Sequence, residues 1–136
     1  MNTAPQVYLI DDDASVRKSV ARLLRIAAYQ VEAYSSADEF LETCRMAEHG
    51  CIVLDLQMPG LSGEGLQDRL RTMKGALPVI IITGHGDVQI RDRMIKKGAV
   101  AFLTKPFDDQ ELLDAIETAF ARNRREVRER SERNRS

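Results

Sequence analysis

Apolar residues occur along the chain in two alternating patterns. Three short runs rich in β-branched residues, at 7–10, 51–54 and 79–82, have the length and composition of strands buried on both faces. Two weaker runs, at 30–34 and 100–103, complete five predicted strands. Apolar residues between and after these strands recur at helical spacing. The sequence therefore predicts an α/β fold, in which a doubly wound, five-stranded parallel sheet is covered by five helices.

End signals support the predicted helices. Ser36 and Glu39 have the spacing of a capping box, and Asp87 can cap the helix that follows it. Gly98 fits the end of a helix, where a left-handed backbone favours glycine. Met73 continues the apolar period of the third helix, so we expect it to pack in the core.

Length and charge restrict the kind of protein further. The chain has 136 residues, which suits one domain, and no apolar run approaches the roughly 18 residues that span a bilayer. Together with an N-terminus that lacks a signal-like region, this predicts a cytoplasmic protein with no membrane partner. Cys44 and Cys51 lack metal or CxxC spacing and are expected to be buried thiols. The segment 122–136 is basic, and its alternating Arg and Glu predict a solvated helical extension of the last helix.

Charged and polar residues follow the predicted strands. Asp11 and Asp12 come directly after the first strand, Asp55 after the third, Thr83 after the fourth and Lys105 after the fifth. Ligands of open parallel sheets bind outside the carboxyl ends of the strands. The clustered carboxylates repel each other unless a cation offsets them, and oxygen ligands at a shallow rim suit Mg²⁺. A rim neutralised by Mg²⁺ and the lysine can accept a phosphoryl group.

Four motifs make a family resemblance plain. In order and spacing, LIDDD, LDLQMPGLSG, IIITGHGD and FLTKPF resemble the receiver domain of bacterial two-component response regulators over about residues 6–121, and ITGHGD is most similar to FixJ-type regulators. The resemblance implies a flavodoxin-like receiver fold, with a receiver domain at 1–121 and a charged helical linker at 122–136. It also implies a regulatory protein that catalyses only its own phosphorylation and dephosphorylation, with a sensor histidine kinase as partner.

The same resemblance assigns the acceptor and the metal ligands. It implies that Asp55 receives the phosphoryl group, and that Asp11, Asp12, Asp55 and the backbone carbonyl of Gln57 hold Mg²⁺. Gln57 is also a candidate for tuning the reaction. Asp13 is interpreted as a helix N-cap rather than a ligand.

Further roles follow from the resemblance. Thr83 and Lys105 would contact the phosphoryl oxygens, and Thr83 with Phe102 would form the conformational switch. His85 is a second candidate for tuning, and the Lys105–Pro106 peptide bond is expected to be cis. Phosphorylation is expected to produce a homodimer through the fourth helix and fifth strand, around residues 88–100. Contact with DNA is expected only through an output domain that is not part of this sequence, and output control would then be transcriptional.

Two alternatives stay open at this point. A haloacid-dehalogenase-type phosphatase would use Asp11 as nucleophile within a D-x-D pattern completed by Asp13. A receiver-like interaction module would keep the fold and work without phosphotransfer.

Overall fold

Five parallel strands form a single sheet in the computed structural model of the protein, which describes residues 4–134. The strands are β1 (Gln6–Ile10), β2 (Gln30–Tyr34), β3 (Gly50–Asp55), β4 (Val79–Thr83) and β5 (Ala101–Thr104). Their order in the sheet is β2-β1-β3-β4-β5, and every neighbouring pair is parallel. The order reverses between β1 and β3, which opens a crevice at the carboxyl ends of these two strands. The predicted fold class is confirmed.

Five helices alternate with the strands: α1 (Ala14–Ile26), α2 (Ala37–Thr43), α3 (Gly63–Arg71), α4 (Val88–Lys96) and α5 (Asp109–Asn134). The predicted end signals are used. Asp87 caps α4, and the Ser36 hydroxyl accepts from the N–H of Glu39 at 3.0 Å. In a capping box the Glu39 carboxylate would accept from the N–H of Ser36. It accepts instead from the N–H of Ser35, one residue earlier. Gly98 follows α4 with a φ of +101°.

Alternate residues of the strands face two separate apolar layers. Residues such as Ile52 and Ile81 pack with α2, α3 and α4, whereas Val53 and Ile80 pack with α1 and α5. Met73 lies outside both layers and is 44% exposed, because α3 ends at residue 71 and the apolar period continues past the helix. The prediction that Met73 packs in the core is therefore wrong.

The two cysteines differ in burial. Cys51 lies on β3 and is fully buried, as predicted. Cys44, just after α2, is only half-buried, because it packs at the margin of the apolar layer that Tyr34 borders.

Helix α5 continues without a break through the predicted boundary at residue 121, so that boundary stays a prediction. Asn123 is 2% exposed and holds the helix to the sheet: its Oδ1 accepts from the N–H of Gly50 at 3.0 Å, and its Nδ2 donates to the carbonyl of Glu48 at 3.1 Å. None of the ion pairs among residues 4–134 joins the Arg and Glu side chains of the tail, and Arg122 donates instead to the carbonyl of Gly98 at 3.0 Å.

The ends of the chain complete the description. Residues 1–3 of the predicted receiver segment and residues 135 and 136 of the predicted tail lie outside the described residues. Between residues 4 and 134, no helix combines the length and the apolar character needed to cross a bilayer.

Candidate functional site

Three carboxylates meet at the carboxyl ends of β1 and β3. Asp11 follows β1 and is fully buried, Asp55 ends β3 and is 5% exposed, and Asp12 faces solvent. One oxygen of each lies within 4.8 Å of one oxygen of the other two. The Asp13 carboxylate instead accepts from two backbone N–H groups at the start of α1, at 2.9 and 3.2 Å. The structure therefore groups the three predicted ligand carboxylates and uses the fourth aspartate as the predicted cap.

Lys105 lies against the buried pair of carboxylates. Its Nζ is 2.9 Å from Oδ2 of Asp11 and 3.6 Å from Oδ1 of Asp55. The N–H of Lys105 donates to the carbonyl of Thr83 at 2.7 Å, which continues the pairing of β4 and β5 past the end of β5. The bond to Pro106 is cis, in agreement with the sequence-based expectation. The lysine therefore reaches the site because strand pairing places its backbone at the same edge.

The buried carboxylates are electrostatically unbalanced. The pKa of Asp55 is raised from 3.8 to about 7, first by burial and then by the negative charge of Asp11. Lys105 and the N–H of Gln57, 3.4 Å from Asp55 Oδ1, oppose this rise without cancelling it. A donor set made only of carboxylate oxygens fits a hard divalent cation such as Mg²⁺, which would supply the missing positive charge. The acidic cluster thus suits the predicted metal.

Thr83 and Phe102 face the same side of the sheet. Thr83 is fully buried at the end of β4, and its Oγ1 accepts from the N–H of His85 at 3.1 Å. Phe102 is half-buried and lies opposite Ile81 in the β4–β5 register. Because Ile81 and Thr83 are two residues apart on one strand, Phe102 and Thr83 are diagonal neighbours on one face. The ring of His85 is exposed, and its backbone makes the contact with the threonine.

Two residues that shape the site escaped the sequence analysis. Nη1 of Arg17, on α1, donates to the carbonyl of Asp11 at 2.8 Å and so fixes the backbone after β1. Gly63 begins α3 where a Cβ would lie 2.2 Å from the carbonyl oxygen of Asp55, so only glycine permits this approach. The presence of Gly63 in the motif LDLQMPGLSG was the available signal, whereas nothing in the local sequence singled out Arg17.

Fold and site together define an α/β domain of the flavodoxin-like class, with an acidic cluster, a buried threonine and a lysine at one edge of the sheet. Residues 7–117 match the family described as the response regulator receiver domain, and the chain belongs to that family. It is thus a receiver domain of the two-component type.

Relatives support the predicted FixJ-type similarity. Two proteins of Bradyrhizobium diazoefficiens are similar to this chain. Nodulation protein W is 44% identical over 124 residues, an alignment that covers 91% of this chain and 55% of that relative. Transcriptional regulatory protein FixJ is 42% identical over 119 residues, an alignment that covers 88% of this chain and 58% of that relative. The chain therefore spans about half the length of the curated relatives it matches. The solved structure of Response Regulator StyR superimposes with a TM-score of 0.85 at 45% identity, over 96% of this chain and 67% of that chain.

The phosphatase alternative does not survive these findings. It requires Asp13 to work in the site together with Asp11, but the Asp13 carboxylate is engaged by the N-terminus of α1. Membership of the receiver family contradicts the alternative independently.

The raised pKa of Asp55 predicts a pH-dependent effect of Asp55→Asn. Since the pKa is higher in the folded protein than in the unfolded chain, the folded state binds more protons between about pH 4 and 7, and stability falls as pH rises through this window. Asparagine removes this contribution. With divalent cations chelated, we expect Asp55→Asn to stabilise the protein more at pH 8 than at pH 5, by at least about 1 kcal/mol.

Urea unfolding at both pH values measures the difference, and Asp92→Asn, at an exposed position of α4, is the matched control. A stability gap between Asp55→Asn and the parent that stays constant from pH 5 to pH 8 contradicts the prediction.

Proposed function

We propose that the protein is a phosphoacceptor domain that takes a phosphoryl group from a sensor histidine kinase onto Asp55 and thereby controls an output. The observation that carries this proposal is the buried Asp55 carboxylate at the end of β3, 3.6 Å from Lys105 and beside Asp11 and Asp12. Similarity to a protein named as a transcriptional regulator supports a transcriptional output. Such a role places the protein in the cytoplasm and limits its catalysis to its own phosphorylation and dephosphorylation.

The proposed reaction is a transfer between two nucleophiles. An oxygen of Asp55 forms a bond to phosphorus while the bond from phosphorus to the imidazole nitrogen of the kinase breaks, and that nitrogen keeps the electron pair. Mg²⁺, held by Asp11, Asp12, Asp55 and the backbone carbonyl of Gln57, would neutralise charge on the transferred group. Lys105 stabilises the phosphoryl oxygens as a point charge, since its ammonium group already lies between the two buried carboxylates.

The switch follows from the charge that the phosphoryl group adds. Its oxygens offer the Thr83 hydroxyl a strong charge-assisted hydrogen bond, and movement of Thr83 towards them leaves space for the diagonal neighbour Phe102. As phenylalanine has no hydroxyl to keep in water, inward movement of this ring costs little desolvation. Phosphorylation thus shifts a pre-existing equilibrium. Gln57 and His85, both exposed beside the site, tune the access of water to the acyl phosphate.

The surface changed by this switch is the α4–β5 face. Two large apolar side chains are exposed on α4, Val88 at 61% and Ile95 at 44%, seven residues apart and therefore on one side of the helix. We propose that this face joins two phosphorylated copies. The interaction with DNA would belong to an output domain of the longer regulators.

Asp55→Asn tests the acceptor. Incubation of the parent with a small phosphodonor and Mg²⁺ should add about 80 Da, the mass of one phosphoryl group, and Asp55→Asn should abolish this gain. Intact mass spectrometry reads out both proteins. Asp13→Asn is the matched control, because it keeps the helix cap and should keep the gain. An adduct that persists in Asp55→Asn contradicts the assignment, and a parent that gains no mass favours the phosphorylation-independent module.

Metal binding at the acidic cluster predicts a stabilisation by Mg²⁺. Binding to the folded state alone raises the unfolding temperature by mass action. We expect Asp12→Ala to lose most of this rise, whereas Asp13→Asn removes a neighbouring charge without touching the cluster and should retain it. Thermal unfolding at several Mg²⁺ concentrations makes the comparison. If both variants respond to Mg²⁺ alike, general charge neutralisation explains the effect, and the assignment of the metal site to the acidic cluster is wrong.

Ile95→Glu tests the dimer face. With beryllofluoride as phosphoryl mimic, we expect the parent to dimerise in sedimentation velocity and Ile95→Glu to stay monomeric, because a charge would be buried at the interface. Ile26→Glu is the control, since Ile26 is also exposed but lies on α1 against the opposite side of the sheet. A dimer that persists in Ile95→Glu, or a mimic-bound parent that stays monomeric, rules out this face.

A further inference from the structure

Gly86, in the loop between β4 and α4, lies directly against Phe102. A Cβ atom at Gly86 would be 2.7 Å from Cε1 and 3.2 Å from Cζ of Phe102, and 2.8 Å from Oγ1 of Thr104. Carbon atoms in favourable contact are about 3.5 to 4.0 Å apart, so a methyl group here overlaps the ring. Phe102 and Thr104 are two residues apart on β5 and present the same face, which the loop crosses at Gly86.

The backbone does not explain why this position is glycine. The φ of Gly86 is not positive, so its conformation is open to any residue. The requirement comes instead from the close approach of the loop to the aromatic ring. Nearby, Gly84 also lacks a positive φ, but a Cβ there would have no neighbouring atom within 4 Å. The two glycines of the motif TGHG therefore differ in what a side chain would meet: no atom at Gly84, and the Phe102 ring and the Thr104 hydroxyl at Gly86.

The loop is held at both ends. Before Gly86, the N–H of His85 donates to Oγ1 of Thr83 at 3.1 Å. After it, the carboxylate of Asp87 accepts from the N–H of Ile90 at 2.8 Å and caps α4. A half-buried ring on an edge strand is easier to displace than a segment tied on both sides. A side chain at position 86 therefore acts mainly on the ring.

We propose that Gly86 is a positioning residue, which permits the ring of Phe102 to rest where the structure has it, and that a side chain at position 86 favours the switched ring position. The second half of this inference rests on the function proposed above, and the steric contact stands without it. In this proposal the switched ring lies away from the loop, so the overlap penalises the resting position and the equilibrium shifts towards the switched one.

Gly86→Ala tests the proposal, with Gly84→Ala as the matched control. Each protein is labelled with 4-fluorophenylalanine, and the ¹⁹F resonance of Phe102 is assigned by its loss in Phe102→Leu. Without any ligand, we expect the Phe102 resonance of Gly86→Ala to lie closer than that of the parent to its position in the beryllofluoride-bound parent. We also expect the half-saturating beryllofluoride concentration, with Mg²⁺ present, to fall about tenfold, which corresponds to about 1.4 kcal/mol. Gly84→Ala should match the parent in both measurements.

The double variant Gly86→Ala/Phe102→Leu shows whether the ring carries the effect. Leucine lacks the ring edge that the new methyl group meets, and the remaining overlap, with Oγ1 of Thr104, can be relieved by rotation of that exposed side chain. Alanine at position 86 should therefore have most of its effect on thermal stability and beryllofluoride affinity abolished in the Phe102→Leu background. The same comparison covers the case in which Gly86→Ala is too unstable to titrate, because the double variant should recover stability. An effect of full size in the Phe102→Leu background overturns the proposal.

Two other results also overturn it: a Phe102 resonance in Gly86→Ala that matches the parent, or beryllofluoride binding that becomes weaker. Failure of the proposed switch is recognised separately. If beryllofluoride binds to the parent and leaves its Phe102 resonance in place, the coupling of Thr83 to Phe102 is wrong. A displaced resonance in the ligand-free Gly86→Ala protein then still supports the positioning role, and an undisplaced resonance overturns it.

Discussion

The repulsion between two buried carboxylates is the constraint on which the rest of the site depends. Asp11 follows β1 and Asp55 ends the adjacent strand β3, so the β1–β3 pairing holds their backbones side by side. Lys105 relieves part of the repulsion, and the raised pKa of Asp55 shows how much is left. The sheet thus holds an acidic pair whose negative charge a bound cation would offset, and this is the electrostatic condition for the proposed phosphorylation of Asp55.

The helix nearest to the proposed switch is restrained less firmly than the sheet. On α4, Arg93 and Lys97 donate to the Glu64 carboxylate of α3 at 2.9 and 2.7 Å, and Lys97 also donates to Asp68 at 3.0 Å. Hydrogen bonds from Arg93, and then from Lys97, lower the pKa of Glu64. These pairs lie at the surface, where ionic contacts contribute little and are weakened by salt. With only Met94 of α4 fully buried, the helix is held by contacts that small energies can rearrange.

The sequence predicted most of the architecture and of the site because both depend on local patterns. The predicted strands begin and end within two residues of the observed ones. In a parallel sheet the carboxyl ends of the strands share one edge, so the residues that follow them lie close together. The prediction that Met73 is buried was wrong, because apolar spacing does not reveal where a helix ends. Arg17, Gly86 and Asn123 could not be predicted, because their roles arise from contacts with a backbone turn, an aromatic ring and a distant loop that only the folded chain brings together. Gly63 had a signal in its motif, but its close contact with the end of β3 arises only in the folded chain.

Asn123 adds a polar link between α5 and β3, two elements that already share one apolar layer. It binds the backbone on either side of His49, at the amino end of β3, and β3 carries Asp55 at its other end. Helix α5 has 26 residues and is therefore about 39 Å long, and its last buried residue is Asn123. The helix is thus attached to β3 at the end of the strand opposite Asp55. A rotation of a few degrees about Asn123 would therefore displace the far end of the helix by about 1 Å.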